Sequence, residues 1–406
     1  MLGLAAFSPA GMTLAHPVTQ HPYFPVPPLV AAAWAAMLVL VAAVAWPERD
    51  DPASGRPQPV VGSWAGPLAP PQVAARVVAV AVLALAIATG RLGVNDELEN
   101  LAPALVVGVA WPLLVLINVS VGPAWRWCDP WDGLARAFGR EEPGTAPTHV
   151  WPAVVVAIPW VWYLSAYPDP LGPRPVGVAL ALYTLFTVAG CLAVGRVRWL
   201  ASAEPLGIVL SWMALLPRGR LADWRPPAGA EALLGVLAGG VLFGAARRSA
   251  LWGGLGTYPG ALAIASLGVL ASCLAVACLL MVMGRAARRP GGRPVIARAA
   301  VPALAGIVIA VALDSNRLLT SVQLLPGLVG DPFGWGWDLL GPAGAGLNPA
   351  PLGTAGLLWL QLGVLLAGHL VGAAVLGARL AREARGPGAA AVSILVAASA
   401  IAVATH

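Results

Sequence analysis

The chain lacks lysine altogether and carries few charged residues of any kind. All 24 of its basic residues are arginine, and charged residues make up only 10% of the 406 positions, against about a quarter in an ordinary soluble protein. So few charges could not cover the surface of a soluble globule of this size. The absence of lysine also excludes a Walker A nucleotide site and Schiff-base chemistry, and the sequence contains neither H-E-x-x-H nor G-x-S-x-G.

Cysteine and histidine are scarce as well. None of the four cysteines belongs to a C-x-x-C pair, so neither a disulfide framework nor a thiolate zinc site is expected. Any site that needs imidazole must be built from five residues, which are His16, His21, His149, His369 and His406.

The chain instead consists largely of apolar runs. Hydrophobic residues make up 59% of it, and several runs reach the roughly 20 residues that a helix needs to cross a bilayer. Because backbone exposed to lipid must satisfy its own hydrogen bonds, this pattern predicts an all-α, polytopic transmembrane helix bundle. We place about ten spans, at 28–46, 72–90, 101–121, 150–167, 176–195, 230–246, 260–284, 295–313, 352–378 and 389–405.

Arginine sets the predicted orientation, because cytoplasmic loops of membrane proteins collect basic residues. With both termini outside, only Arg91, Arg174, Arg247, Arg248 and Arg317 lie outside, and the other 19 of the 24 arginines lie inside. Residues 1–27 are then an extracytoplasmic segment, and 28–406 form one transmembrane domain. The net charge of +6 therefore reflects the arginines of the inner side, which face anionic lipid, and does not indicate nucleic-acid binding. The alanine-rich, lysine-free composition is typical of a high-GC bacterium, so we expect a plasma-membrane location and the lipid bilayer as partner.

Two short stretches combine acids with aromatic residues. The stretch "VGDPFGWGWDLLG" at 329–341 lies on the predicted outer side before the ninth span, and "VGPAWRWCDPWDGL" at 121–134 lies on the inner side after the third. For the tryptophans, an interfacial belt with glycine-containing turns is the simpler interpretation. The alternative is an inverted repeat of two five-span halves, which would place the two stretches at matching positions, as in some transporters.

These stretches, together with "GHLVG" at 368–372 and "AHP" ahead of "VPPLVAAAWAAMLVLV", resemble bacterial polytopic membrane proteins known as fenitrothion hydrolases. The order and spacing match over nearly the whole chain, and "DPFGWGWDL" is the most specific piece. The resemblance implies a membrane-embedded hydrolase of organophosphate esters. The family has further histidines that this chain lacks. Gly377 and Ala378 stand where one of them is expected, and no histidine occurs from Val295 to Pro326, where others are expected.

Phosphotriester hydrolysis is typically assisted by a metal held by histidine and carboxylate ligands, so the implied cofactor is a divalent metal. On the predicted outer side the candidate metal ligands are His16, His21 and Asp314. The candidate catalytic residues are Asp331, Asp338 and His369. His369 lies well inside the ninth span, where an ionisable residue usually faces a cavity or a partner.

Two alternatives stay open at this point. In a transporter or permease-like protein, His369 and an Asp314/Arg317 pair spaced i, i+3 would line a path, with the apolar "LLTSVQLLPGLVG" at 318–330 as a re-entrant segment. In a non-catalytic membrane subunit, the chain would accompany a catalytic paralogue.

Overall fold

The computed structural model describes residues 68–138, 148–221, 224–248, 252, 260–286, 296–314, 317–340 and 347–383. Throughout these ranges the regular elements are helices, and the β-type pairing is one isolated bridge between His149 and Ala228. The all-α prediction is thus confirmed for the described part of the chain.

The helices begin and end close to the predicted span boundaries, with several short helices between the long ones. In chain order they are α1 (Pro70–Leu92), α2 (Leu101–Ser120), α3 (Trp125–Cys128), α4 (Pro130–Phe138), α5 (Trp151–Ser165), α6 (Pro173–Val194), α7 (Arg196–Ser202), α8 (Pro205–Met213), α9 (Ala230–Arg247), α10 (Ala261–Ala286), α11 (Ile296–Ala312), α12 (Arg317–Gly330) and α13 (Gly353–Glu383).

Six of these helices are long and apolar enough to cross a membrane, or seven if the bent pair α11–α12 counts as one span. The 15-residue α5 is apolar but shorter than the others. The outward faces are apolar too: Val77 and Val78 of α1 are 63% and 62% exposed, as expected for side chains in contact with lipid. The described chain is therefore a multi-pass membrane protein. The first and tenth predicted spans lie outside the described residues, so a count of ten stays a prediction.

Small residues allow the tightest helix pairs. Along α11 and α13, a Cβ at Gly368 would lie 2.6 Å from the carbonyl oxygen of Pro302, and one at Gly372 equally close to that of Ala299. A Cβ at Gly239 of α9 would lie 2.7 Å from the Cα of Cys273 on α10. Close backbone approach through small residues is the usual way in which helices associate in lipid, where apolar burial gives no advantage.

Two spans depart from regular α-helix and pack against each other. Residues Ala104–Ala110 of α2 form a π-helical segment, and α12 lies against it with Ser321 directly over Gly108. The α12 axis is bent by 63° from that of α11, with Asp314 at the bend. Each irregular segment is thus covered by the other within the protein.

Contacts sort the described loops into two groups. The "arginine end" comprises the first turns of α1, α9 and α11 with the segments 121–138, 148–150, 195–221 and 224–229; here Arg76 contacts Asp132, and the Nε of Arg298 donates to the Trp224 carbonyl. The "bend end" comprises the segments 93–100, 166–172, 313–314 and 317–340 with the end of α9; here Val94 N–H donates to the Phe333 carbonyl at 2.8 Å.

In the predicted inverted repeat, the third and fourth spans correspond to the eighth and ninth. If the eighth and ninth spans pack together, the third and fourth should therefore do so too. In the structure α11 packs along α13 over most of its length, whereas α2 and α5 are not packed together. The two halves therefore do not share this pairing.

Candidate functional site

The bend between α11 and α12 brings together charges from distant parts of the chain. Asp314 is buried, and its Oδ2 lies 3.0 Å from the Nε of Arg248, the residue that follows α9. The direct partner of Asp314 among the described residues is thus Arg248, and the predicted i, i+3 neighbour Arg317 interacts with it at longer range. The ion pair joins two spans rather than neighbouring turns, and Arg317 stays within electrostatic range of Asp314 without a direct contact.

Arg317 is the first residue of α12 and is half-buried. Its guanidinium makes no hydrogen bond or ion pair with any described residue, although Arg248, Asp314 and Glu97 lie within electrostatic range. A cation so placed is costly unless an anion or water reaches it. Arg317 is thus the unsatisfied charge at the bend.

Glu97 belongs to the loop between α1 and α2, on the same side of the bundle. Partial burial raises the pKa of Glu97, the positive charge of Arg317 opposes this, and the negative charges of Asp169 and Asp96 add to it. The bend end therefore carries several acids close enough to affect one another.

Asp331 and Asp338 lie on the loop that follows α12. The two carboxylate oxygens of Asp331 accept the N–H groups of Trp335 and Gly336, at 2.9 and 2.6 Å. Phe333 stacks on Trp335 with ring centroids 4.4 Å apart. Asp338 is exposed and makes no hydrogen bond with the described residues. Asp331 thus organises a turn, and Asp338 projects from it.

His369 occupies the interior of α13 with 2% of its surface exposed. Its Nδ1–H donates to the Leu365 carbonyl at 2.8 Å, so Nε2 carries a lone pair, and that atom has no partner among the described residues. Eight residues towards the bend end, the buried Gln361 donates to the Ala310 carbonyl of α11. α13 therefore presents two buried polar side chains about 12 Å apart along its axis.

His369 is separated from the loop acids. It stands 16 residues after the start of α13, which is about 24 Å at 1.5 Å per residue. The described residues hold no group of three or more His, Cys, Asp or Glu side chains that could bind a metal ion. His16 and His21 lie outside the described ranges, so a metal site formed by them with Asp314 stays a prediction.

A denser ionic cluster lies at the arginine end. Asp132 of α4 is fully buried and pairs with three arginines from three helices: Arg76 at 2.9 Å, Arg136 at 3.1 Å, and Arg196. Arg76 also donates to the Arg126 carbonyl at 2.7 Å. One carboxylate thus ties α1, α4 and α7 together.

Glu204 lies beside this cluster, outside the spanning helices. It caps α8 by accepting the N–H groups of Leu206 and Gly207, and it also accepts the Tyr183 hydroxyl. Burial, assisted by the negative charge of Asp129, raises the pKa of Glu204 to about 7. Its carboxyl group therefore titrates near neutral pH.

Sequence reasoning missed Asp132, Glu204 and Arg248. For Asp132 a signal existed, since "DPWD" follows a span and Arg76 stands just inside another on the same predicted side. For Arg248 none existed, because its partner is 66 positions away and only the bend brings the two together.

The fold defines the class: a multi-pass, α-helical membrane protein with a sharply bent pair of apolar helices and a facing π-helical segment. Comparison with known protein families, with curated proteins and with solved structures yields no match to this chain.

Proposed function

We propose that the chain is a transport protein of the bacterial plasma membrane, with ten spans and both termini outside. The observation that carries this proposal is the span broken at Asp314, whose second half packs on the π-helical segment of α2. Irregular backbone at membrane depth is tolerated only where protein buries it or where it lines a water-filled path. Transporters use such broken helices to bind ions and solutes.

The buried polar groups of α13 support the same function. A span that merely anchors a protein has little reason to bury Gln361 and His369, whose desolvation is costly. The Nε2 lone pair of His369 is suited to accept a hydrogen bond from water or from a solute. The tight glycine contacts between α11 and α13 would let these two helices move as one body.

Cysteine accessibility tests the path without knowledge of the solute. In a background free of the four native cysteines, Gln361→Cys and His369→Cys should react with a membrane-impermeant methanethiosulfonate added to intact cells or inverted vesicles. Leu360→Cys is the matched control, because Leu360 is 40% exposed on the outer surface of the bundle and should face lipid. Failure of both buried positions to react from either side would refute a path along α13.

A second candidate is hydrolysis of phosphoric esters at the outer face, as the family resemblance implies. The observation that favours it is the gathering of carboxylates at the bend end, where Asp338 is exposed and Glu97, Asp96 and Asp169 influence one another. The elemental metal content of the purified chain tests it first. A stoichiometric divalent metal, with phosphotriester turnover that is lost in Asp331→Ala or Asp338→Ala, would favour the hydrolase. Metal-free protein that fails to bind added zinc, manganese or iron would exclude it.

A further inference from the structure

The strongest unexplained feature of the bend end is a pair of neighbouring arginines whose guanidinium groups have donors left unused by the described residues. Arg317 has no hydrogen-bonding or ionic partner among the described residues. Arg248 binds Asp314 through Nε, which leaves its two terminal amino groups without a hydrogen bond to the described chain. Because each guanidinium lies within electrostatic range of the other, they also repel each other.

The nearby acids do not satisfy these groups. Asp314 is engaged by Arg248, and Glu97 is exposed and lies beyond ion-pair distance of Arg317. Arg247, next to Arg248, donates to the carbonyls of Ser165 and Tyr167. It is a third positive charge and cannot accept a hydrogen bond from Arg248 or Arg317. Among the described residues, the bend end therefore offers guanidinium donors that no carboxylate or carbonyl accepts.

We propose that Arg317 and Arg248 form a binding site for an oxyanion, a carboxylate or a phosphate group, carried by the transported solute. Planar guanidinium groups bind both kinds of anion through paired, charge-assisted hydrogen bonds. The site lies at the break of the span, where the half-helix arrangement of transporters places solute groups. This inference names the solute class and rests on the proposed transport function.

Inorganic phosphate and acetate are the probes. The full chain, in nanodiscs of neutral phosphatidylcholine, is titrated with each anion at constant ionic strength, and the unfolding temperature is followed by tryptophan fluorescence. The wild-type chain should show a saturable rise with at least one anion. Arg317→Gln should weaken the apparent affinity by about tenfold or more. Arg174→Gln, an exposed arginine at the same end, is the matched control and should bind as the wild type does.

Two further variants separate binding from folding. Without added anion, Arg317→Gln should be at least as stable as the wild type, because it removes an unpaired charge; a clear loss of stability would show that Arg317 already has a structural partner. Asp314→Asn should bind phosphate more tightly than the wild type, since it releases Arg248. An unchanged or weaker affinity in Asp314→Asn would exclude Arg248 from the site.

Nanodiscs that contain phosphatidylglycerol identify the source of the anion. If the site takes a lipid headgroup, the wild type in these discs should be stabilised without added phosphate, Arg317→Gln should not be, and the assignment to a solute would be overturned. If no anion or lipid distinguishes the two proteins, the site itself is refuted. Failure of the cysteine test alone would remove the transport function while leaving anion binding at Arg317 intact.

Discussion

At the arginine end all four described carboxylates, Asp129, Asp132, Glu204 and Glu231, are buried, whereas at the bend end most of the described carboxylates are exposed. The exposed charges described at the arginine end are arginines, among them Arg126, Arg198 and Arg218. Acids there hold helices together from within and leave cationic side chains for the lipid headgroups. Most acids at the bend end are exposed, and none of the described ones forms an ion pair with Arg317.

This contrast separates an end held by a buried ionic cluster from an end held more loosely. Three arginines around one buried aspartate fix the relative positions of α1, α4 and α7. At the bend end, a single ion pair joins α9 to the break between α11 and α12. We therefore expect the arginine end to be the more rigid of the two and the bend end the more mobile.

The largest effect should follow from breaking the ionic cluster. Asp132→Ala removes the carboxylate that pairs with the buried Arg76 and Arg196, which should cost about 3–5 kcal/mol of stability. The measurement is the unfolding temperature in detergent, together with the amount of folded protein obtained. A variant as stable as the wild type would show that the arginines find other partners and that the arginine end is not the rigid one.

The next effect is the pH dependence that Glu204 imposes. Its pKa of about 7 lies above the ordinary value of 4.5, so the folded protein binds this proton more tightly than the unfolded chain does. Stability should therefore be highest below pH 4.5 and fall as the pH rises through 7, by at most about 3 kcal/mol. Glu204→Gln should flatten this part of the profile, because the amide keeps an oxygen for the cap but does not titrate.

Glu97 at the bend end is the matched control for that profile. Its pKa is raised in the same direction, but the side chain is exposed, so Glu97→Gln should change the slope much less. An equal change in the two variants would argue that solvent reaches Glu204 as readily as it reaches Glu97.

A smaller effect is expected at the bend. Asp314→Ala removes the ion pair with Arg248, and since that arginine is 36% exposed and can rehydrate, we expect a loss of about 1–2 kcal/mol. The unfolding temperature measures this loss. A cost as large as that of Asp132→Ala would contradict the assignment of the bend end as the looser of the two.

The sequence predicted the described helices well, because long uncharged runs in a chain with so few charges are typical of transmembrane helices. The turn formed by Asp331 has a signal in the sequence as well, since an aspartate before a proline is a common turn signal. The partners in the ion pairs could not be predicted from the sequence. The three arginines of Asp132 come from positions 76, 136 and 196, and the partner of Asp314 comes from position 248, so only packing of the whole bundle selects them.

The smallest effect should be that of Asp338→Ala, because the side chain is exposed and has no hydrogen bond with the described residues. We expect a change in stability within about 0.5 kcal/mol. Asp331→Ala should cost about 1 kcal/mol, since two backbone N–H groups lose their acceptor. The pair therefore tests the hydrolase candidate sharply. Loss of phosphotriester turnover in Asp338→Ala, without a change in unfolding temperature, would have to come from chemistry at that carboxylate, whereas the same loss confined to Asp331→Ala would reflect the collapse of its turn.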